Sequence, residues 1–205
     1  MYKEILDQNQ LKLLDLIKIF QKDFYLVGGT AIALYMGHRK SIDFDLFSKK
    51  ELKINSIMNT IIKLGYKIEY TLVSNKDELT IIILGVKITF LYYPFEIEAK
   101  KYILPDIIKS PNLLTLASMK AYAIGRRSKW KDYVDIYFLI QNGYTIGDIS
   151  KKAKDIFGGA FEEKLFREQL CYFDDIDYSE EVIYIGENID NKIIEKYLCD
   201  KAVLI

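Results

Sequence analysis

The stretch from Phe24 to Phe47 constrains the fold more than any other part of this 205-residue chain. Phe24-Tyr25-Leu26-Val27 is a short apolar run stopped by Gly28-Gly29-Thr30, and Ala31-Ile32-Ala33-Leu34-Tyr35-Met36 resumes at once. That pattern predicts a strand, a tight glycine turn and a helix. After His38-Arg39-Lys40-Ser41 a second strand is predicted from Ile42 to Phe47. Successive side chains of a strand alternate between faces, so Asp43 and Asp45 share one face, and Ile42, Phe44 and Leu46 the other. Two carboxylates held together repel each other unless a cation lies between them.

A hard divalent cation, Mg²⁺ or Mn²⁺, takes oxygen ligands and completes its shell with substrate phosphates and water. Asp43 and Asp45 are therefore candidate metal ligands. The glycine turn opens a helix, where free N–H groups and the helix dipole favour phosphate and glycine lets the backbone come close. This makes Gly28, Gly29 and Thr30 candidate nucleotide-binding residues, with Arg39 and Ser41 beside them. A Gly-Gly turn or an Asp-x-Asp pair alone is usually a plain turn or a solvated surface; their order and spacing give them weight.

Around this segment the periodicity predicts an amphipathic helix over residues 3 to 22. A helix over residues 49 to 64 would be N-capped by Ser48 with Glu51 three residues on, and closed by Gly65. Three strands, Tyr66 to Val73, Leu79 to Leu84 and Val86 to Leu91, form an antiparallel-leaning meander. Beyond Pro94 and Pro105 the texture becomes helical: from Ser110-Pro111 to Arg127, Trp130 to Gln141, Ile146 to Phe157, residues 161 to 171 and residues 188 to 200. The expected fold class is α+β: a mixed sheet flanked by helices, followed by an α-helical C-terminal half. The boundary is expected near residue 100, giving an α/β domain over 1–100 and a helical domain over 101–205.

In the helical half, Lys120 falls on the stripe of Leu113, Leu116, Ala117 and Ile124, so a cation sits on a core-facing helix face, where charge is rare without a partner. On the next helix Asp132 and Asp135 share a face with Ile136 and Leu139. Spacing alone leaves two readings even: a structural salt bridge from Lys120 to Asp132 or Asp135, or a catalytic group.

Strand, Gly-Gly-Thr turn, helix and Asp-x-Asp strand, in that order, resemble the core signature of the DNA polymerase β-like nucleotidyltransferase superfamily. More narrowly, Gly28-Gly29-Thr30-Ala31 with His38-Arg39-Lys40-Ser41-Ile42-Asp43-Phe44-Asp45-Leu46-Phe47 is similar to the AbiEii nucleotidyltransferase toxin family. Leu116-Ala117-Ser118-Met119-Lys120-Ala121-Tyr122-Ala123-Ile124, Arg126-Arg127 and Lys131-Asp132-Tyr133-Val134-Asp135-Ile136-Tyr137 resemble its downstream lysine and aspartate motifs. The resemblance covers most of residues 20 to 140. It implies metal-dependent transfer of a nucleotidyl group from a nucleoside triphosphate (NTP) to an acceptor hydroxyl, with RNA and notably tRNA ends as acceptor. It also implies a cognate antitoxin encoded beside the toxin. Under it Asp43, Asp45, Lys120, Asp132 and Asp135 form the catalytic set, Lys120 holds nucleotide phosphates, and the helical domain contributes its Lys and Asp motifs to the cleft.

The sequence departs from the superfamily pattern at Thr89. Polymerase β-like enzymes carry a third carboxylate on the strand corresponding to Val86 to Pro94, and a neutral hydroxyl is a weak metal ligand or base. Glu69, Glu96 and Glu98 do not take that position by pattern. The alternative to an enzyme is thus a catalytically impaired relative that binds nucleotide or a protein partner.

Charge and cysteine usage frame these readings. The chain is neutral overall, with 29 basic and 29 acidic residues, but residues 1–159 carry a net +7 and residues 160–205 a net −7. A basic body is compatible with phosphate-bearing partners, while an acidic tail shields it or simply solvates it. No apolar run is long enough for a membrane span, so no membrane partner is expected. Cys171 and Cys199 with the single His38 cannot form a Cys/His zinc site; both cysteines are expected to pack as thiols in a reducing cytoplasm, and His38 to lie at the surface.

Overall fold

The computed structural model describes residues 1–204 and divides into two compact units, Met1–Pro111 and the chain from Asn112 onward. The first unit opens with a single 3-10 turn (Lys3–Ile5), α1 (Gln8–Lys12) and α2 (Leu14–Ile19), in place of one helix over 3–22. Asp7 restarts the helix there. Its carboxylate accepts from the Gln10 N–H at 2.7 Å while the Gln10 side chain accepts from the Asp7 N–H at 3.0 Å, a reciprocal cap that fixes a new N-terminus. The buried Gln10 amide also donates to the Ser41 carbonyl at 3.0 Å, tying α1 to the segment ahead of the Asp pair.

Then come β1 (Tyr25–Val27), α3 (Gly28–Met36), β2 (Phe44–Ser48) and α4 (Ile54–Lys63). Ser48 ends β2 rather than capping a helix at Lys49. Its hydroxyl accepts from the Lys50 N–H at 3.0 Å, a local turn that postpones α4 until Ile54. β3 (Tyr70–Ser74), β4 (Glu78–Ile83) and β5 (Val86–Tyr92) complete a sheet in the order β1-β2-β5-β4-β3. β2 and β5 run parallel; the other neighbours are antiparallel.

Phe44, Leu46, Ile88, Phe90, Leu79 and Ile81 are fully buried on one face of this sheet. Phe20 and Phe24 meet Phe90 edge to face, with centroids 4.9 Å and 5.2 Å away. Each such side chain contributes about 1.5–3 kcal/mol on burial, which fixes the register and so fixes which side chains occupy the opposite face.

Residues 101–110 differ from the predicted boundary near 100. They form a hairpin, β6 (Lys101–Leu104) and β7 (Ile108–Ser110), inside the first unit. The Pro105-Asp106 pair makes its turn: Asp106 adopts φ +57° and the Ile107 N–H donates to the Leu104 carbonyl at 3.0 Å. The proline thus marks a bend within the unit rather than its end.

The second unit is helical: α5 (Leu113–Ile124), α6 (Trp130–Gln141), α7 (Ile146–Phe157), α8 (Glu163–Gln169) and α9 (Asn191–Val203). α5 starts after Pro111 because the Asn112 side chain accepts from the Thr115 N–H at 2.9 Å. The acidic stretch after α8 folds onto the start of α6. Lys129 Nζ lies 2.6 Å from Asp177 and 3.2 Å from Glu180, and Lys131 3.4 Å from Glu180. Cys171 and Cys199, expected as separate packing thiols, are joined in a disulfide, because α8 and α9 bring their Cα atoms within 4.6 Å. Among the described residues no helix is long and apolar enough to cross a membrane.

Candidate active site

In the first unit the Asp pair and the glycine turn come together through the antiparallel pairing of β1 with β2, which sets Val27 opposite Asp45. Gly28 follows Val27 with φ +72°, and a Cβ at Gly28 would overlap the Asp45 carboxylate. Only glycine combines that backbone angle with that approach. Gly29 plays a related part: a Cβ there would meet the Arg39 guanidinium and lie 3.3 Å from Ser41 Oγ. Arg39 is only 2 % exposed, so its guanidinium is a fixed group against the first turn of α3.

Thr30 is buried, and its hydroxyl bonds to the Asp43 carbonyl and to Ser41 Oγ, the latter at 2.9 Å. It therefore clamps α3 to the chain entering β2. Gly28, Gly29, Thr30, Arg39, Ser41, Asp43 and Asp45 are thus brought together. His38, expected at the surface, is buried, because Gly37 in the left-handed conformation ends α3 and turns the chain inward.

Asp43 and Asp45 lie on the same side of β2, away from buried Phe44 and Leu46. Lys87 Nζ sits 2.7 Å from Asp43 Oδ2, and the Asp45 carboxylate abuts Gly28. Among the described residues no group of three acidic, histidine or cysteine side chains converges as a cage for a metal. Two neighbouring carboxylates on one face of β2 are nevertheless the donor set that a single Mg²⁺ or Mn²⁺ shares with phosphate oxygens and water, so the residues fit one such ion.

The next strand answers the question raised by Thr89. The parallel register sets Asp45 opposite Thr89, so the side chain beside the Asp pair is a hydroxyl. One strand further, Thr80 is opposite Thr89, and Glu78 lies on the same face as Thr80. Thr80 Oγ1 is 2.7 Å from Glu78 Oε1 and 3.3 Å from Thr89 Oγ1. Glu78 escaped the sequence reading, which looked for a third carboxylate only along β5 and at Glu69, Glu96 and Glu98. The alternation Glu78-x-Thr80 ahead of the Gly85 turn was the available signal.

In the second unit Lys120 is 6 % exposed, and Asp132 and Asp135 almost fully buried. Lys120 Nζ forms ion pairs with Asp132 Oδ1 and, at 3.0 Å, with Asp135 Oδ2. Arg127 reaches across the first turn of α6 with Nε 2.7 Å and Nη2 3.1 Å from the two oxygens of Asp132. Burial opposes ionisation of Asp132, but the charges of Lys120 and Arg127 and their hydrogen bonds outweigh it and hold its carboxyl below the usual carboxylate range. Two cations and two anions thus compensate one another. Arg127, quoted earlier only as part of a motif, is the fourth member.

Strand, glycine turn, helix and paired carboxylates on a mixed sheet, followed by a helical unit with a buried lysine–aspartate cluster, define a nucleotidyltransferase-type fold. The model of the AbiEii nucleotidyl transferase toxin family, of type IV toxin–antitoxin systems, matches residues 13–182, and the chain belongs to this family. An uncharacterized protein of Aquifex aeolicus, aq_aa25, is 33 % identical over 159 residues, covering 75 % of each chain. Among solved structures, JHP933 from Helicobacter pylori superposes with a TM-score of 0.63 at 17 % identity, over 96 % of this chain and 91 % of that one. The nucleotidyltransferase toxin MenT4 from Mycobacterium tuberculosis gives a TM-score of 0.63 at 10 % identity, over 94 % and 81 %.

Proposed function

We propose that this protein is the toxin of a toxin–antitoxin pair, transferring a nucleotidyl group from an NTP to an RNA hydroxyl, tRNA ends foremost, with Mg²⁺ or Mn²⁺. The observation that carries this reading is the placement of Asp45 against Gly28, which sets the Asp pair at the uncapped N-terminus of α3. Asp43 and Asp45 would hold the ion, which when bound neutralises charge on the triphosphate and on the departing pyrophosphate. The amides of Gly28 and Gly29 bind phosphate at the positive end of α3, and the fixed Arg39 adds charge there. Thr30 and Ser41 keep turn and strand in register through their shared hydrogen bond.

Lys120 is assigned to the phosphates, with Asp132 and Asp135 orienting it. Its ammonium has three N–H donors, of which Asp132 and Asp135 take two, so a phosphate takes the third or displaces a carboxylate. The two aspartates already offset its charge, which lowers what a phosphate gains there.

The test is incubation of the protein with each labelled NTP, Mg²⁺ and total cellular RNA, beside Asp45→Asn, followed by a gel. Label on RNA that is absent with Asp45→Asn is expected; no label with any of the four NTPs overturns the transferase reading. The second reading, a nucleotide-binding relative without turnover, is favoured by Thr89 opposite Asp45. It predicts that Mg²⁺ plus nucleotide raises the melting temperature while no label is transferred.

A further inference from the structure

Thr89 does not stand alone on its face of the sheet. Thr80 has one hydroxyl hydrogen and two acceptor neighbours, Glu78 Oε1 at 2.7 Å and Thr89 Oγ1 at 3.3 Å. A hydrogen bond to a carboxylate is shorter and stronger than one to a neutral hydroxyl, so the Thr80 proton goes to Glu78. The Thr80 oxygen is then left as an acceptor, and the Thr89 hydroxyl donates to it. With its only hydrogen committed toward β4, Thr89 presents lone pairs to whatever lies beside it, and its opposite partner on β2 is Asp45.

The result is a directed chain across two neighbouring strands, from Thr89 on β5 through Thr80 to Glu78 on β4. The flanks favour it. Thr80 is 5 % exposed, which keeps bulk water from competing for its hydroxyl, whereas Glu78 and Thr89 are only half-buried, open to solvent at one end and to a reactant at the other. The register that creates the chain is set by the buried residues of the opposite face, Leu79, Ile81, Ile88 and Phe90, and so does not depend on the hydroxyls themselves.

We propose that Glu78 is the proton sink of nucleotidyl transfer, acting through Thr80 and Thr89 in place of a carboxylate at position 89; this rests on the transferase reading above. In the step, the acceptor hydroxyl oxygen forms a bond to the α-phosphorus, and the bond from that phosphorus to the bridging oxygen of pyrophosphate breaks. The acceptor's proton passes to Thr89 Oγ1 as the Thr89 proton passes to Thr80 and the Thr80 proton to Glu78. Both threonines end neutral, Glu78 ends protonated, and it returns the proton to solvent. Thr89 touches the reacting hydroxyl; Glu78 and Thr80 are positioning residues that act through it.

The same labelled-NTP and total-RNA assay tests this, with kcat and KM for the NTP read separately. Glu78→Gln keeps an acceptor oxygen but cannot take a proton at neutral pH, so it is expected to lower kcat by roughly 10²-fold, the lower end of what a general base supplies, with KM within about twofold. Thr80→Val, which breaks the chain at its middle, is expected to match it, and Thr80→Ser, which keeps the hydroxyl, to restore kcat to within about threefold of the unaltered protein. The melting shift caused by Mg²⁺ plus NTP stays the same in all three. Full kcat in Glu78→Gln, a loss confined to KM, or Thr80→Ser as slow as Thr80→Val overturns the relay while leaving the transferase reading intact. No label from the unaltered protein overturns both.

Discussion

Asp45 of β2 and Thr89 of β5 are opposite one another in a parallel register, so a carboxylate that would hold metal has a hydroxyl for its neighbour across the strands. An added carboxylate at 89 would face the Asp pair directly. Thr89→Asp is expected to lower stability in metal-free buffer by about 0.2–1 kcal/mol, the usual range for like charges across a sheet. Mn²⁺ is expected to raise its melting temperature more than that of the unaltered protein. A thermal melt with and without Mn²⁺ checks this, and equal Mn²⁺ shifts in the two proteins would speak against metal at the Asp pair.

Gly28→Ala places a methyl group onto the Asp45 carboxylate at a backbone angle that suits only glycine. The expected cost is about 1–3 kcal/mol, measured by urea unfolding, together with loss of the nucleotide-induced melting shift. Gly65→Ala is the comparison: it too has positive φ, yet a Cβ there meets nothing within 4 Å, so it should cost stability and spare the ligand response.

Lys120→Ala leaves Asp132 and Asp135 buried with one cation fewer. Breaking such a cluster on one side costs about 3–5 kcal/mol. In a protein of this size that corresponds to a melting temperature lower by roughly 6–20 °C. Adding Asp132→Asn and Asp135→Asn to Lys120→Met should recover much of the loss, because charge is then removed from both sides. Failure of the triple variant to recover any of it would show that the geometry, and not the stranded charge, is what Lys120 supplies.

Acid should loosen the protein through Asp132. Its folded carboxyl titrates below its ordinary value of 3.8, so it contributes stability that is whole above that value and is lost as pH falls through the lower folded one. Urea midpoints measured from neutral pH downward should fall more steeply for the unaltered protein than for Asp132→Asn. Parallel curves would exclude Asp132 as the source.

Reduction of the Cys171–Cys199 bond opens a loop of 28 residues that includes the acidic stretch. Chain-entropy arguments put the cost at about 3–4 kcal/mol. A melt in dithiothreitol should show it, and Cys199→Ser in oxidising buffer should show the same drop.

The element types of the α/β half were legible because turn chemistry and two-residue alternation are local. Gly28-Gly29-Thr30 and Asp43-x-Asp45 need only a window of a few residues to declare a turn and a shared face. Ser48 misled because a short hydroxyl-to-backbone turn and a helix cap look alike in sequence. Residues 101–110 misled because Pro105 marks a chain reversal as well as a unit's edge. Glu78 was missed for a different reason: the two-residue turn Leu84-Gly85 fixes the β4–β5 register and sets Thr80 opposite Thr89, but the third carboxylate was sought only along β5 and at Glu69, Glu96 and Glu98, not on the neighbouring strand. The pairing of Lys120 with Asp132 and Asp135 was readable as one of two alternatives, because helical spacing puts charge on a buried face without saying what answers it. Arg127, anchored outside α6, gave no periodic signal.

The contact between Gly28 and Asp45 also bears on how such a chain can drift. The two positions lie seventeen residues apart in sequence, yet a side chain at the first collides with the carboxylate at the second. A lineage that kept the acid would find almost every mutation at position 28 closed to it, whereas one that had already lost the acid would be released from the collision, and only the backbone angle would still hold it to glycine. Variation at 28 is thus a footprint of what happened at 45, and a library randomised at both positions should recover non-glycine residues at 28 chiefly in clones with a smaller residue at 45.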